Sequence, residues 1–326
     1  MKNSVRVIFF GSTEDSVRVI DALMAMQSSH IDLQIVAVMT HAPRPVGRKQ
    51  TLTPSPVANW AVTHKLPVLC PPTIHDKPWQ FVSDADASNS VSTFSPDLLI
   101  SASFGVKLPS DMITHARFGA LNIHPSLLPR WRGTDPTPWT ILAGDAQTGV
   151  TVSKITDSFD AGDIIGQKKV PVTQSESPDE LRARLFDIGT GLLIDLLPPY
   201  IEGSIDPVTQ VTENATYARR LTRQDGYIPW DILSAILQGT ISKFQFPSSK
   251  QIPSSNYQNE ATMIVRHIQA LSPWPGVWTE ISVQLHRKQE TGNNSGETEN
   301  NQNKTARRLK ILAAHVDGEK LVIDTV

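Results

Sequence analysis

Apolar residues fall in short blocks along residues 1–200, and the spacing inside each block predicts an element. Val5-Arg-Val-Ile-Phe-Phe10 is an apolar run that ends at Gly11, as a buried strand does. From Ser16 to Met26, Val17, Ile20, Leu23 and Met24 recur at helical spacing, and Leu33 to Thr40 (LQIVAVMT) reads as a second buried strand. Strand, helix and strand within about forty residues make a βαβ unit, which calls for a parallel sheet. Pro54 to His64 is helical in pattern and leads to a short strand at Pro67-Val-Leu. Asp97-Leu-Leu-Ile-Ser-Ala and Gly119-Ala-Leu-Asn-Ile-His predict two further strands. Val150-Thr-Val-Ser-Lys-Ile alternates, as a more exposed strand does. Ser177-Pro178 opens a closing helix, Asp179 to Leu197, with Leu181, Leu185, Ile188, Leu192 and Leu193 on one face.

The pattern changes after Pro198-Pro199. Residues 201–217 are mixed and polar and read as a linker. Beyond it come one helical stretch, Ala261 to Leu271, then Pro-Trp-Pro-Gly, and strands at Val277 to Leu285, Leu309 to Ala314 and Lys320 to Thr325. Two stretches, Phe246 to Asn259 and Lys288 to Thr305, have the composition of disordered loops. The expectation is an α/β fold: a Rossmann-like, mostly parallel sheet over residues 1–205, then a small β-barrel (OB-like) domain over residues 206–326. The chain stops inside the strand Lys320–Val326, which leaves open a shortened end or a domain that closes differently.

Composition narrows the class. The 326 residues suffice for one large or two medium domains. A formal charge of −2 gives no global positive field, so a nucleic-acid partner would have to be met by local basic patches. Cys70 is the only cysteine, which rules out an intramolecular disulfide and fits a reducing compartment. No signal peptide and no run long enough to span a membrane is visible. The reading is a soluble intracellular protein.

The candidate chemistry is concentrated in Asn122-Ile-His-Pro-Ser-Leu-Leu-Pro-Arg-Trp-Arg-Gly133. Two residues apart on a strand, Asn122 and His124 point to one side, and Pro125 sets them at the strand's carboxyl end, where ligands bind in open α/β sheets. An amide and an imidazole aimed together can donate to one developing oxyanion, and the imidazole can carry a proton. The plainer alternative is a strand end capped by polar residues. Asp157-Ser-Phe-Asp-Ala-Gly-Asp163 is an acidic loop that lacks the ligand spacing of a calcium site. Asp160 is the carboxylate to pair with His124, Asp163 would order the loop, and Asp157 reads as a solvated turn; no metal is expected. The loop from Thr40 to Pro56 carries Arg44, Arg48 and Lys49 and no acid, and it follows a strand. It would overhang the same sheet edge, as a phosphate-contacting loop or as a solvated basic turn. A lone Gly11 in the first βα turn does not meet a dinucleotide fingerprint.

These motifs resemble the formyltransferase family that uses 10-formyltetrahydrofolate: Asn122-x-His124, Ser126-Leu-Leu-Pro-Arg-Trp-Arg-Gly133, and Asp160 further on. Within that family, Leu128 to Gly133 with Pro136, Gly149-Val-Thr-Val, Arg44-Pro-x-Gly-Arg48, Pro54-Ser-Pro56, Tyr217-Ala-x-x-Leu221 and Pro273-Trp-Pro-Gly276 resemble the branch acting on methionyl-tRNA. The likeness covers nearly the whole chain. It implies a catalytic set of Asn122, His124 and Asp160. It also implies a folate-contacting run at Ser126, Leu127, Leu128 and Pro129, and a pterin-lining backbone at Phe104, Gly105 and Val106 within Ser103–Pro109. Arg44, Arg48 and Lys49 would sit in a loop that reaches the tRNA acceptor end. The implied partners are initiator methionyl-tRNA and 10-formyltetrahydrofolate, acted on by a monomer in a bacterial-type cytoplasm or an organellar matrix. Gly133-Thr-Asp-Pro136 departs from the family in carrying a polar pair where members have small apolar residues. Rival readings are another amine acceptor such as an amino-sugar nucleotide, hydrolysis of the folate to formate, or an RNA-binding protein without catalysis.

Overall fold

Five parallel strands form the centre of the first of two units in the chain. The structure is a computed structural model that describes residues 3–26, 31–173, 175–240, 260–284, 304–317 and 320–326. The N-terminal half runs β1 (Asn3–Phe10), α1 (Glu14–Ala25), β2 (Ile31–Met39), β3 (Arg44–Val46), β4 (Thr51–Thr53), α2 (Pro56–Thr63), β5 (Val68–Leu69), β6 (Thr73–Ile74), β7 (Lys77–Phe81), α3 (Asp84–Ser92) and β8 (Leu98–Ala102). It continues through α4 (Ser110–His115), β9 (Ala120–His124), β10 (Arg132–Gly133), α5 (Pro136–Ala143), β11 (Gln147–Lys154), β12 (Ile164–Pro171) and α6 (Pro178–Ile201). The main sheet has the order β12-β11-β9-β8-β1-β2-β5. β5, β2, β1, β8 and β9 are parallel, while β11 and β12 are antiparallel additions at one side.

Residues 98–102 of β8 are buried without a break because both faces of the sheet are covered. On one face Val7, Phe9, Ile100, Ile123 and Val150 pack with α1 and α6 residues such as Val19, Leu23, Phe186 and Leu193. On the other, Ile8, Phe10, Met39 and Leu99 meet Val91, Phe104 and Met112. β11 was expected to be the exposed strand of the sheet. It is buried almost throughout, because β12 covers its outer edge and α6 one face; β12 itself carries the exposed residues. β12 has too weak an apolar pattern to read from sequence. α6 begins at a full capping box, Ser177 with Glu180, which satisfies helix N–H groups that have no partner within the helix.

Residues 201–217 do not behave as a free linker. Val208 bridges Ile164, and β13 (Tyr217–Ala218) pairs in parallel with β10. Contacts divide the chain into residues 1–140 with 146–220, and residues 141–145 with 221–326. The second unit holds α7 (Trp230–Leu237), α8 (Glu260–Leu271), β14 (Val277–Gln284), β15 (Lys304–Ile311), β16 (Ala313–Asp317) and β17 (Lys320–Thr325). Its strands form two antiparallel ladders, β14 with β15 and β16 with β17. The strand expected over Leu309 to Ala314 is thus two strands, with the break at Leu312. Of the two stretches read as disordered loops, 246–259 and 288–303 lie outside the described residues, whereas Lys304 and Thr305 open β15. Among the described residues no helix is long and apolar enough to cross a membrane.

Candidate active site

β9 delivers Asn122 and His124 to the carboxyl edge of the sheet, on one side of the strand. Across the ladder Ser153 faces Asn122 and Thr151 faces His124. His124 is buried. Its Nε2 lies 2.8 Å from the Trp131 carbonyl oxygen. A carbonyl only accepts, so Nε2 carries a proton and Nδ1 is the nitrogen left to meet a second partner. Nδ1 faces Asp160 Oδ1 at 3.5 Å, and Asn122 Nδ2 approaches the same oxygen at 3.4 Å. The three predicted residues therefore converge on one carboxylate oxygen. These long contacts suit a site that tightens around a substrate.

The other carboxylate oxygen of Asp160 is already engaged. Oδ2 accepts the Gly133 backbone N–H at 2.8 Å. Asp160 itself has φ +52°, a left-handed conformation that costs most L-residues about 1–2 kcal/mol and that Asp tolerates better than most. The surrounding loop is pinned by a residue that sequence reading missed. Gln210 Nε2 donates to the carbonyls of Asp160 at 2.8 Å and Gly162 at 2.7 Å. Gln210 Oε1 accepts from buried Arg132, Nε at 3.0 Å and Nη2 at 2.8 Å. No local signal marks Gln210, because it sits in a polar stretch where any residue would pass. Two close approaches fix the same corner. A Cβ at Gly162 would lie 2.0 Å from the Lys154 carbonyl oxygen, and one at Gly133 would lie 2.8 Å from that of Ala218. Asp163 orders the loop, accepting from Thr209 Oγ1 at 2.9 Å. Asp157 accepts from Ser110 Oγ and is not merely solvated.

The run Ser126–Pro129 is folded inward. Ser126 Oγ donates to the Arg130 carbonyl at 2.6 Å, and Leu128 is buried. Thr151 Oγ1 donates to the Ser126 carbonyl at 2.7 Å and accepts from Leu128 N at 3.1 Å. Leu127 and Pro129 are half-buried. In Ser103–Pro109, the side chains of Phe104, Val106 and Leu108 are buried. Ser103 and Gly105 turn the chain through φ +54° and +74°. A Cβ at Gly105 would meet nothing within 4 Å, so the backbone there faces open space.

Two cavities flank this region, of about 630 Å³ and about 510 Å³, both within the range usual for small-molecule sites. The first is lined by Phe81, Lys107, Ser110 and Asp157, among others. The second is lined by Lys107, Arg132 and both neighbours of Asp160, Phe159 and Ala161. Lys107, Gln80 and Asp157 belong to both. Among the described residues no group of three His, Cys, Asp or Glu side chains is arranged to hold a metal ion.

The basic loop after β2 is a hairpin, β3 with β4, whose turn holds Arg48 and Lys49, both exposed. Arg44 is directed back toward the sheet: its Nη2 donates to His41 Nδ1 at 2.9 Å. Burial first, and then the Arg44 charge, hold the His41 pKa below its ordinary value.

The family model described as "Formyl transferase" matches residues 5–197. The methionyl-tRNA formyltransferase of Enterococcus faecalis is 32% identical over 274 residues, covering 84% of this chain and 75% of the relative. That of Pseudoalteromonas translucida is 31% identical over 304 residues, covering 92% and 82%. Of solved structures, a 4-N formyltransferase from Francisella tularensis superposes with a TM-score of 0.57 at 14% identity, over 84% of this chain and 92% of that one. That likeness speaks for the fold alone. The family match over more than half the chain, and relatives above 30% identity along most of their own length, lead to one conclusion: the chain belongs to the formyl transferase family.

Proposed function

We propose that this protein transfers the formyl group of 10-formyltetrahydrofolate to the α-amine of methionyl-tRNA, giving N-formylmethionyl-tRNA for translation initiation. The observation that carries the chemistry is the convergence of Asn122 Nδ2 and His124 Nδ1 on Asp160 Oδ1. The acceptor rests on relatives named for methionyl-tRNA along most of both chains. When bound, the folate supplies an electrophilic formyl carbon to the neutral amine. Asn122 donates its amide N–H to the formyl oxygen as that oxygen gains charge. His124, protonated at Nδ1 and held at Nε2 by the Trp131 carbonyl, is the second donor. The amine nitrogen bonds to the formyl carbon, and the bond from that carbon to the folate nitrogen breaks. Asp160 stabilises the imidazolium and takes part in passing the amine proton to the folate nitrogen, so that tetrahydrofolate leaves, while Gly133 N–H keeps the carboxylate in place.

The residues suit the donor: the open backbone at Gly105 and the cavity along Lys107, Ser110 and Asp157 offer main-chain and polar side-chain partners to a flat heterocycle with an anionic tail. Arg44, Arg48 and Lys49 contact phosphates of the acceptor end, and the second unit, with Arg223 and the Arg308–Lys310 strand, adds to tRNA affinity. The bacterial relatives support a cytoplasmic setting. The test is to mix the protein with 10-formyltetrahydrofolate and charged methionyl-tRNA and assay formyl-methionine, with an amino sugar nucleotide and water alone in parallel. Formylation of methionyl-tRNA is expected; product only with the sugar amine, or only formate, would overturn the reading. Arg44→Ala should raise KM for methionyl-tRNA by about tenfold with little change for the folate, and the tRNA affinity should fall steeply with salt.

A further inference from the structure

His41 stands between the two segments assigned above to acceptor and donor. Its Nε2 lies 2.9 Å from the Phe104 carbonyl oxygen, so Nε2 must carry the proton. Nδ1 is then a lone pair, and it faces Arg44 Nη2, which can only donate. The two partners together select one neutral tautomer. The ring also stacks on Phe104, with centroids 5.5 Å apart and planes 28° from parallel. The main chain beneath it is fixed: His41 N donates to Ser12 Oγ at 3.2 Å, Ser12 Oγ and Thr40 Oγ1 are 3.1 Å apart, and Thr40 Oγ1 and Ser55 Oγ are 2.6 Å apart. Both ends of the basic hairpin are thereby tied to the end of β2.

We propose that His41 is a positioning residue that couples the acceptor loop to the donor segment: neutral, its ring bridges Arg44 and the Phe104 carbonyl, and protonated, it releases Arg44. The inference rests on the proposed function. The step is a single proton gained at Nδ1, after which both ring nitrogens are donors and one of them faces a guanidinium. Arg44 is the charged group that bears on the ring, and the Cys70 thiol lies at the His41 main chain, with Sγ 3.9 Å from the carbonyl oxygen. Burial and the Arg44 charge both favour the neutral ring, opposed by the bond to Phe104. Release therefore belongs below the ordinary histidine value of 6.5.

His41→Gln and His41→Ala separate the roles. A glutamine side chain carries a donor NH2 and an acceptor carbonyl and does not titrate, so it can serve both partners at any pH. Steady-state constants for methionyl-tRNA and for 10-formyltetrahydrofolate are measured for the full chain between pH 8 and pH 5.5. At pH 8 His41→Ala should raise KM for methionyl-tRNA by about tenfold with kcat much less affected, and His41→Gln should restore it to within about twofold. On acidification the wild-type KM for methionyl-tRNA should rise relative to that of His41→Gln. The titration of the substrate amine is common to both proteins and cancels in that ratio. A ratio that stays constant with pH, or His41→Ala constants equal to wild type, would overturn the role of His41. Absence of formyl-methionine from the wild-type protein would instead defeat the functional reading itself.

Discussion

At Asp160 each carboxylate oxygen has a separate task, and this division makes the residue testable without unfolding the loop. Oδ2 is bound by the Gly133 N–H at 2.8 Å, while Oδ1 faces Asn122 and His124. Asp160→Asn keeps an oxygen for Gly133 but removes the charge that stabilises a protonated His124. We expect kcat to fall by about a hundredfold or more, within the usual cost of losing an acid–base partner, with the fold kept. Asn122→Ala removes one oxyanion donor and should cost on the order of 10²–10³ in kcat, with folate affinity less affected. Single-turnover formylation with circular dichroism as a fold control measures both. Near-normal turnover in a folded Asn122→Ala protein would remove the amide from the mechanism. The pair Asn122 and His124 was legible in the sequence because strand alternation alone aligns their side chains. The state of His124 was not, since the carbonyl that fixes its tautomer belongs to Trp131, a residue whose own side chain is buried.

The elements that hold the site differ in how far the chain announces them. β8 and the carboxyl-terminal parts of β1 (Val7–Phe10) and β2 (Ala37–Met39) are apolar runs buried on both faces, and continuous burial requires continuous apolar sequence. β10 and β13 are two residues each and carry no such pattern, yet their pairing brings the chain from Gln210 to Ala218 against the Asp160 loop. There Arg132 is buried, with its guanidinium on Gln210 Oε1, and the same amide holds the carbonyls of Asp160 and Gly162. Gln210→Ala leaves a buried charge without this acceptor and two carbonyls without this donor. We expect a loss of about 2–3 kcal/mol in denaturant unfolding, together with a fall in kcat. Gln210→Glu keeps an acceptor for Arg132 but sets a carboxylate against the two carbonyls. It should recover stability better than turnover. Equal recovery of both would mean that Gln210 supports only Arg132 and not the Asp160 loop.

Across the whole molecule the sequence pattern located a parallel sheet and a second region of short strands, because both follow from local periodicity. It did not reveal that residues 206–220 pack with the first unit, since that depends on partners such as Ile164, Arg132 and Trp139, distant along the chain. Each unit has its own buried core, and the second contains a titratable group inside it. His267 on α8 is fully buried, and its Nδ1 donates to the Met263 carbonyl one turn earlier, at 2.9 Å. Burial lowers its pKa from 6.5 to about 4, against the opposing effects of that bond and the Asp225 carboxylate. Above pH 6.5 the ring is neutral whether folded or not. Between pH 6.5 and 4 the unfolded chain takes up a proton that the folded unit refuses, so stability is lost as the pH falls through this window. The slope approaches about 1.4 kcal/mol per pH unit, or about 3 kcal/mol in all, and this group adds nothing further below pH 4. His267→Leu removes the titration while keeping an apolar side chain of similar size. Hydrogen exchange over residues 260–271, measured from pH 7 to pH 5 and corrected for intrinsic rates, reads the opening of α8. Wild-type protection should weaken on acidification by up to one proton's worth more than in His267→Leu. Parallel pH dependences in the two proteins would show that His267 holds the same charge in the open and closed forms.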